Sequence, residues 1–159
     1  MCINLVVVIC GVDEAGKGSV LGPMVVAAVG VKDENVLAPL GLRDSKLLSA
    51  KERERLYPLI KKACKVAVIR LDAHEIDSVR CEMTMNQAVA RAHARAITKI
   101  SPTCAYVDAC DVNIFRYAEM VRSNLERDCE IVSEHHADDK FLVVSAASII
   151  AKVTRDRAI

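Results

Sequence analysis

Two adjacent acids, Asp13 and Glu14, belong to the segment of the sequence whose residue types point most directly to a chemical function. Asp13 and Glu14 follow the apolar run LVVVICGV and precede a G-K-G turn at residues 16–18. Read from Gly11, the segment GVDEAGKG is one residue short of a phosphate-binding P-loop. Phosphate binding is therefore the first chemistry to test.

The residues around the lysine argue against a P-loop. A P-loop places Ser or Thr directly after the lysine and opens a helix there, whereas this chain has Gly18 and then the strand-like VLGPMVVAAVGV. Asp13 and Glu14 would also repel the phosphates of a bound nucleotide. The segment is thus a poor nucleotide-binding loop.

A divalent cation fits the two acids better. Magnesium takes oxygen ligands and keeps several of its waters, which favours carboxylates at open strand ends. Adjacent strand residues point to opposite faces of a sheet. We therefore expect Glu14 to lie where the strand breaks into the turn, so that it can reach the same centre as Asp13.

Further acids stand at the ends of other predicted strands. Asp108 ends the apolar run AYVD, and a buried carboxylate there needs a basic partner or a metal. Asp138 and Asp139 come just before the last predicted helix, and Asp111 is expected near a helix N-terminus. Acids at several strand-to-loop junctions are typical of two-metal phosphodiesterases, whose paired cations activate water and stabilise the leaving oxygen.

Other polar residues give weaker signals. His135 and His136 fit no zinc-binding spacing, so we expect supporting or surface positions for both. Arg91, Arg95 and Lys99 recur every four residues, which indicates a solvated helix face.

The elements that must position the acids alternate along the chain. Strands are predicted at residues 4–13, 24–31, 65–71, 104–109 and 130–135, and helices from Ser49, over 84–100, over 113–127 and from about 144. The first two strands are too close in sequence for a crossover and predict an antiparallel hairpin. Pro58 is expected to kink or break the first helix. The order predicts an α/β fold with a mixed five-stranded sheet flanked by helices.

Composition limits the number of domains, the redox environment and the membrane segments that this chain can have. A chain of 159 residues, 52% of them apolar, fits one domain with a real core. The formal charge of +1 announces no nucleic-acid partner by itself. Seven cysteines without a C-x-x-C pair predict a reduced, cytoplasmic protein. No run is long enough to span a membrane, and the N-terminal segment reads as a strand and not as a signal peptide.

Five segments in order resemble one family. They are GVDEAGKGSVLGPMVVAAV, LRDSKLLS, the T-x-N at residues 84–86, AYVDACDVN and ADDKFLVVSAASIIAKVTRD. Together they resemble type 2 ribonuclease H, the ribonuclease HII family, and its archaeal branch in particular. The resemblance implies a single ribonuclease H-like catalytic domain over residues 1–159.

The resemblance also implies an activity. It predicts an endonuclease that cleaves RNA within RNA–DNA hybrids and cuts on the 5′ side of single ribonucleotides in duplex DNA, leaving a 3′-hydroxyl and a 5′-phosphate. Two divalent ions, Mg²⁺ or Mn²⁺, are implied as cofactors. The family's catalytic metal ligands correspond to Asp13, Glu14, Asp108 and Asp138, which leaves Asp139 as a solvated neighbour.

Substrate contacts are implied as well. The resemblance assigns them to Gly16, Lys17, Gly18, Lys46, Asn86 and Lys152. Glycines let the backbone approach a sugar closely, and contacts to the 2′-hydroxyl distinguish RNA from DNA. Lys17 and Lys46 are candidate phosphate contacts, and Lys152 matches a family position near the metals.

One family feature has no counterpart in this sequence. Family members usually continue through a G-S-G-Y segment whose tyrosine stacks on a sugar, and Tyr57, Tyr106 and Tyr117 match no such position. The sliding-clamp-binding tail of archaeal relatives is also expected to be absent from this chain. A shortened family member that binds nucleic acid but cuts weakly or not at all therefore remains the alternative.

Overall fold

A computed structural model describes residues 8–18, 22–42 and 45–159. The strands are β1 Ile9–Ala15, β2 Met24–Val31, β3 Lys65–Leu71, β4 Cys104–Asp108 and β5 Glu130–Glu134. The helices are α1 Ala50–Ala63, α2 Ala73–Arg80, α3 Met85–Ile100, α4 Ile114–Ser123, α5 Ala137–Lys140 and α6 Leu142–Ala158. Short 3₁₀ turns occupy Glu34–Val36, Ala38–Leu40 and Ser45–Leu47. The predicted start of the first strand, residues 4–7, lies outside the described residues.

The five strands form one mixed sheet in the order β3-β2-β1-β4-β5. β1 pairs antiparallel with β2, and β2 with β3, whereas β1–β4 and β4–β5 are parallel. The predicted antiparallel hairpin and the mixed five-stranded sheet are both confirmed. The parallel pairing of β1 with β4 brings the carboxyl ends of these strands to the same edge.

Helices cover both faces of the sheet, and alternate residues of each strand enter different cores. Cys10, Val12 and Val107 pack on the side of α3 and α4, together with the buried residues of those helices. Tyr106 faces the opposite side, which α1 and α6 cover. This alternation decides which side chains of β1 and β4 can meet at the strand ends.

Gly11 lets α6 lie directly on β1. A Cβ atom at this position would fall 2.2 Å from the carbonyl carbon of Val143 and 2.4 Å from the nitrogen of Val144. Only glycine permits this approach, because backbone atoms cannot rotate away as a side chain can. The first turn of α6, and α5 before it, are thereby held close to the end of β1.

Side-chain caps fix the starts of two predicted helices. Thr84 and Gln87 form a reciprocal capping box at α3, and the Ser49 hydroxyl accepts a hydrogen bond from the Glu52 N–H at the start of α1. α1 is one helix across Pro58, so the predicted break is wrong. Pro58 is exposed, and water can therefore satisfy the helix carbonyl that proline leaves without an N–H donor.

Two helices were not predicted from the sequence. α2 has no fully buried residue and no side-chain cap hydrogen bond, so neither a buried apolar stripe nor a cap marks it in the sequence. α5 is a single turn of four residues that contains Asp138 and Asp139. The last helix begins at Leu142 and not near residue 144.

The state of the cysteines and the lengths of the apolar helices can be compared with the predictions from the sequence. The cysteines within the described residues are all free thiols, at positions 10, 64, 81, 104, 110 and 129. No helix among the described residues has the length and apolar character needed to cross a membrane.

Candidate active site

The register between β1 and β4 brings two of the predicted acids together. Ile9 pairs with Cys104, and the pairing runs in step to Val12 with Val107. Continued by one residue, the same register sets Asp13 beside Asp108. Because Val12 and Val107 point toward α3, their successors point toward the face that α6 covers.

Asp138 completes a cluster of three carboxylates. α5 carries Asp138, and its preceding neighbour Ala137 is fully buried. One carboxylate oxygen from each of Asp13, Asp108 and Asp138 lies within 4.8 Å of the others. Asp13 and Asp138 are only 5% and 6% exposed, and Asp108 is half-buried. Three acids from separate segments thus meet at one edge of the sheet.

Burial and mutual repulsion shift the ionisation of this cluster. Burial, followed by the charges of Glu14 and Asp108, raises the pKa of Asp13 well above its ordinary value. Burial, followed by the charges of Glu14 and Asp138, raises the pKa of Asp108 to about 6. The buried Oδ1 of Asp138 has no hydrogen-bond partner among the described residues. An oxygen-rich cluster with excess negative charge and an unsatisfied oxygen suits a hard divalent cation.

Glu14 lies on the other face of the sheet. β1 continues through Ala15, so the predicted strand break at Glu14 is wrong; pairing with Val26 of β2 keeps Glu14 in the strand. Its Oε1 lies 2.7 Å from His93 Nε2, toward α3. Glu14 is therefore outside the cluster of three, although its charge is close enough to raise the pKa values of Asp13 and Asp108.

A buried histidine and tyrosine hold Glu14 in this orientation. His93 and Tyr117 are both fully buried, and the Tyr117 hydroxyl lies 3.0 Å from His93 Nδ1. An ionised Glu14 carboxylate only accepts, so His93 Nε2 carries a hydrogen and donates it to Glu14. Burial raises the pKa of Tyr117 well above its ordinary value, which keeps the hydroxyl protonated beside Nδ1.

Sequence reasoning did not find these two residues, although one signal was present. His93 interrupts the apolar stripe of α3 at the helical spacing of Val89 and Ile97, and it is as buried as they are. A polar residue at the centre of such a stripe needs a partner inside the protein. Here that partner is a carboxylate next to the acidic cluster.

The G-K-G turn lies beside the end of β1. Gly16 and Gly18 have φ values of 88° and 77°, in the region that favours glycine. Lys17 is exposed, and its Nζ donates to Asn86 Oδ1 across 3.4 Å at the start of α3. Two of the predicted substrate contacts, Lys17 and Asn86, are thus neighbours in space.

Lys46 approaches the cluster from the other side. Its Nζ lies 3.8 Å from Asp138 Oδ1, 3.7 Å from Asp139 Oδ2 and 3.4 Å from His136 Nδ1. The Lys46 side chain is about half exposed, so one side of this cation remains open to solvent. The Lys46 ammonium group therefore lies close to both aspartates of α5 and is also accessible to solvent.

Other predicted residues lie apart from the cluster. His135 contacts the Val112 carbonyl at 3.1 Å, in a surface position. Asp111 binds Arg116 through both carboxylate oxygens, and Asn113 is the N-cap of α4. Lys152 is half-buried in α6 and forms no ion pair within the described parts of the chain.

Comparison with known proteins decides the family. The family model described as Ribonuclease HII matches residues 10–159. The chain belongs to the ribonuclease HII family. Ribonuclease HII of Methanoregula boonei is 67% identical over 151 residues, which cover 95% of this chain and 71% of that protein. The predicted enzyme class, a metal-dependent endonuclease acting on RNA–DNA hybrids, is thereby confirmed.

Solved structures agree with the fold. The ribonuclease HII in the PCNA:RNase HII complex from Archaeoglobus fulgidus superposes with a TM-score of 0.89 at 41% identity, over 94% of this chain and 72% of that one. Bst-RNase HIII in complex with Mn²⁺ gives a TM-score of 0.83 at 27% identity, over 96% of this chain and 53% of that one. The predicted ribonuclease H-like fold is confirmed.

In this ribonuclease HII family member, the acidic cluster predicts a pH-dependent stability without metal. The folded-state pKa of Asp108, about 6, exceeds that of the unfolded chain, and Asp13 is shifted in the same direction. The folded state then binds more protons at these two acids, so their contribution to stability is greatest below the unfolded-state pKa of about 4 and is lost as pH rises through about 6. Thermal melts in a chelator should show the midpoint falling over this range, and added Mn²⁺ should reverse the fall. A midpoint that rises with pH in chelator would contradict the assignment.

Proposed function

We propose that this enzyme incises duplex DNA on the 5′ side of embedded ribonucleotides, in addition to cleaving RNA–DNA hybrids, and leaves a 3′-hydroxyl and a 5′-phosphate. The observation that carries the proposal is the meeting of Asp13, Asp108 and Asp138 within 4.8 Å at the strand edge that also presents the G-K-G turn. Carboxylates that could hold divalent cations and a glycine-containing turn thus lie at one edge of the sheet, which supports this proposal.

Divalent cations fit the acids of this edge. Asp13, Asp108 and Asp138 would hold them, since their oxygens converge and Asp138 Oδ1 has no hydrogen-bond donor in the part of the chain that the structure describes. Two Mg²⁺ or Mn²⁺ ions, when bound, supply water activation and charge stabilisation at the leaving oxygen. Bound cations would reduce the repulsion between the carboxylates. Asp13 and Asp108 would then be ionised more readily.

Glu14 has a distinct place in this proposal. It points away from the three aspartates and toward His93, yet its charge acts on Asp13 and Asp108. We assign it as the fourth metal-site acid, oriented by the His93–Tyr117 pair. A hydrogen-bonded neighbour that orients a metal-site carboxylate commonly affects metal affinity as well.

The turn and the surrounding cations would recognise the substrate. Gly16 and Gly18 leave the backbone free to approach a 2′-hydroxyl, which is the group that marks a ribonucleotide. Lys17 and Lys46 flank the acids and are open to solvent, so they can meet phosphate oxygens. Asn86 and Lys152 are assigned supporting contacts.

The two neighbouring aspartates of α5 allow a matched comparison. Asp138→Asn should lower kcat at least about 100-fold, because it removes a charge from the buried cluster. Asp139→Asn removes the same charge from the next residue. The Asp139 side chain is 45% exposed, so its loss should change kcat by less than about threefold. Steady-state cleavage of a fluorescent RNA–DNA hybrid measures both. Equal losses in the two variants would contradict the choice of Asp138.

An incision assay tests the proposed function directly. The chain is incubated with a labelled DNA duplex containing one ribonucleotide, in Mg²⁺ or Mn²⁺, beside an RNA–DNA hybrid and an all-DNA duplex. We expect a cut 5′ of the ribonucleotide, a 3′-hydroxyl that a polymerase can extend, and no cut in all-DNA. Cleavage of the hybrid without incision at the single ribonucleotide would reject the proposed specificity. Binding without any cleavage would favour the alternative of a shortened, inactive family member.

A further inference from the structure

One arginine of α6 lies beneath both ends of the chain segment that joins β1 to β2. Arg155 Nε donates to the Pro23 carbonyl across 2.9 Å, at the entry to β2. A Cβ atom on Gly16, at the exit from β1, would lie 2.2 Å from the same Nε and 2.7 Å from Cδ. The guanidinium thus occupies the space that any larger residue at Gly16 would need.

The second end of the segment lies near this side chain. Gly22 has φ 80°, and a Cβ atom there would lie 3.0 Å from Ile159 Cγ1 and 3.5 Å from Arg155 Nη2. The arginine side chain therefore packs against Gly16, donates to Pro23 and reaches toward Gly22. A lysine ammonium lacks the planar fork of the guanidinium, although it can still donate to one carbonyl.

The helix that carries Arg155 also sets the position of the acidic cluster. α6 begins at Leu142 directly after α5, and its first turn lies against Gly11 of β1. Arg155 follows Val143 by twelve residues, about 18 Å along a helix. α6 therefore packs near the acids at its first turn and against the G-K-G turn near its end, so a single helix fixes the distance between them.

We propose that Arg155 is a positioning residue that fixes the G-K-G turn relative to the three carboxylates and so determines ribose recognition. The inference rests on the proposed function, in which the turn reads the 2′-hydroxyl. On its other side the turn is held by Lys17, which donates to Asn86 of α3. Without Arg155, only this exposed contact would hold the orientation of the described part of the turn.

The test compares Arg155→Ala with Arg157→Ala. Arg157 lies on the same helix, carries the same charge and pairs at the exposed surface with Glu54 at 2.6 Å, away from the turn. Arg155→Ala should raise the KM for a duplex with one ribonucleotide at least about tenfold and weaken discrimination against an all-DNA competitor by a similar factor, since small misplacements of binding groups are costly. Arg157→Ala should match the wild type, and Arg155→Lys should recover part of the loss.

Two further measurements separate positioning from general damage. Amide hydrogen exchange at Gly16, Lys17 and Gly18 should accelerate in Arg155→Ala and stay unchanged in Arg157→Ala. Mn²⁺ affinity, measured by calorimetry, should stay within about twofold of the wild type in both, because β1, β4 and α5 carry the acids and the G-K-G turn carries none of them. Unchanged exchange in Arg155→Ala, or a loss of Mn²⁺ affinity equal to the loss of discrimination, would overturn the proposal. A wild-type chain that incises no ribonucleotide duplex rejects the proposed function instead, and the exchange data then decide whether Arg155 fixes the turn.

Discussion

Asp13→Asn is expected to lower kcat on an RNA–DNA hybrid at least about 1,000-fold, a loss of roughly 4 kcal/mol in transition-state stabilisation. Asp13 is buried, and its oxygens converge with those of Asp108 and Asp138. Asparagine keeps the shape and the Oδ1 that accepts the Glu14 N–H at 2.8 Å, so only charge and metal binding are lost. Steady-state kinetics at saturating Mg²⁺ measure the effect.

The same variant should not unfold the protein. Ionised Asp13 suffers burial and repulsion from Glu14 and Asp108, as the direction of its pKa shift shows. Without metal, removing that charge should leave the melting temperature at neutral pH equal or higher. Asp33→Asn is the matched control, because Asp33 also accepts a backbone N–H, at 2.9 Å, but on the exposed surface. Retention of more than about a tenth of wild-type kcat in Asp13→Asn would reject Asp13 as a metal ligand.

Gly11→Ala is expected to be the most destabilising single methyl group that can be added to the described core. The new Cβ would fall 2.2 to 2.4 Å from backbone atoms of Val143 and Val144. Backbone cannot rotate away, so α6 must move off β1, at a cost of about 3 kcal/mol or more in the free energy of unfolding. Urea denaturation monitored by circular dichroism measures the loss.

Gly30→Ala is the control for this prediction. Its new Cβ would approach Ile100 Cγ2 at 2.6 Å, but this atom belongs to a side chain that can rotate. We expect a smaller loss, about 1 to 2 kcal/mol. Because α5 precedes α6, Gly11→Ala should also weaken Mn²⁺ binding, whereas Gly30→Ala should not. A stability loss in Gly11→Ala no greater than in Gly30→Ala would contradict the close packing of α6 on β1.

The sequence allowed much of the fold to be predicted because its local signals are strong. Buried apolar strands, the Ser49 cap and the helical apolar period of α3 each indicate one structure. α2 escaped prediction because its helix buries little apolar surface. α5 escaped because four residues are too few to show a period. Both depend on packing against neighbours that local patterns do not encode.

Some residues of the candidate site could also be predicted from the sequence, whereas others depend on tertiary packing. Asp13 and Asp108 were predictable, because each ends an apolar run and parallel strands bring their carboxyl ends together. The choice of Asp138 over Asp139 came from the family resemblance. The alternation of strand faces predicts that regular strand cannot bring Asp13 and Glu14 to one centre, but the strand break expected at Glu14 does not occur. That outcome depended on His93 of α3 and Tyr117 of α4, which lie 79 and 103 residues away in sequence. Only tertiary packing brings these side chains together.

The location of Mn²⁺ in crystals of the protein, measured by anomalous diffraction, tests directly whether the three aspartates bind metal. We expect strong anomalous peaks in contact with Asp13, Asp108 and Asp138, and their loss in Asp13→Asn crystals under the same conditions. Peaks elsewhere, or none at this edge of the sheet at millimolar Mn²⁺, would contradict the claim that these acids form the metal centre of the enzyme.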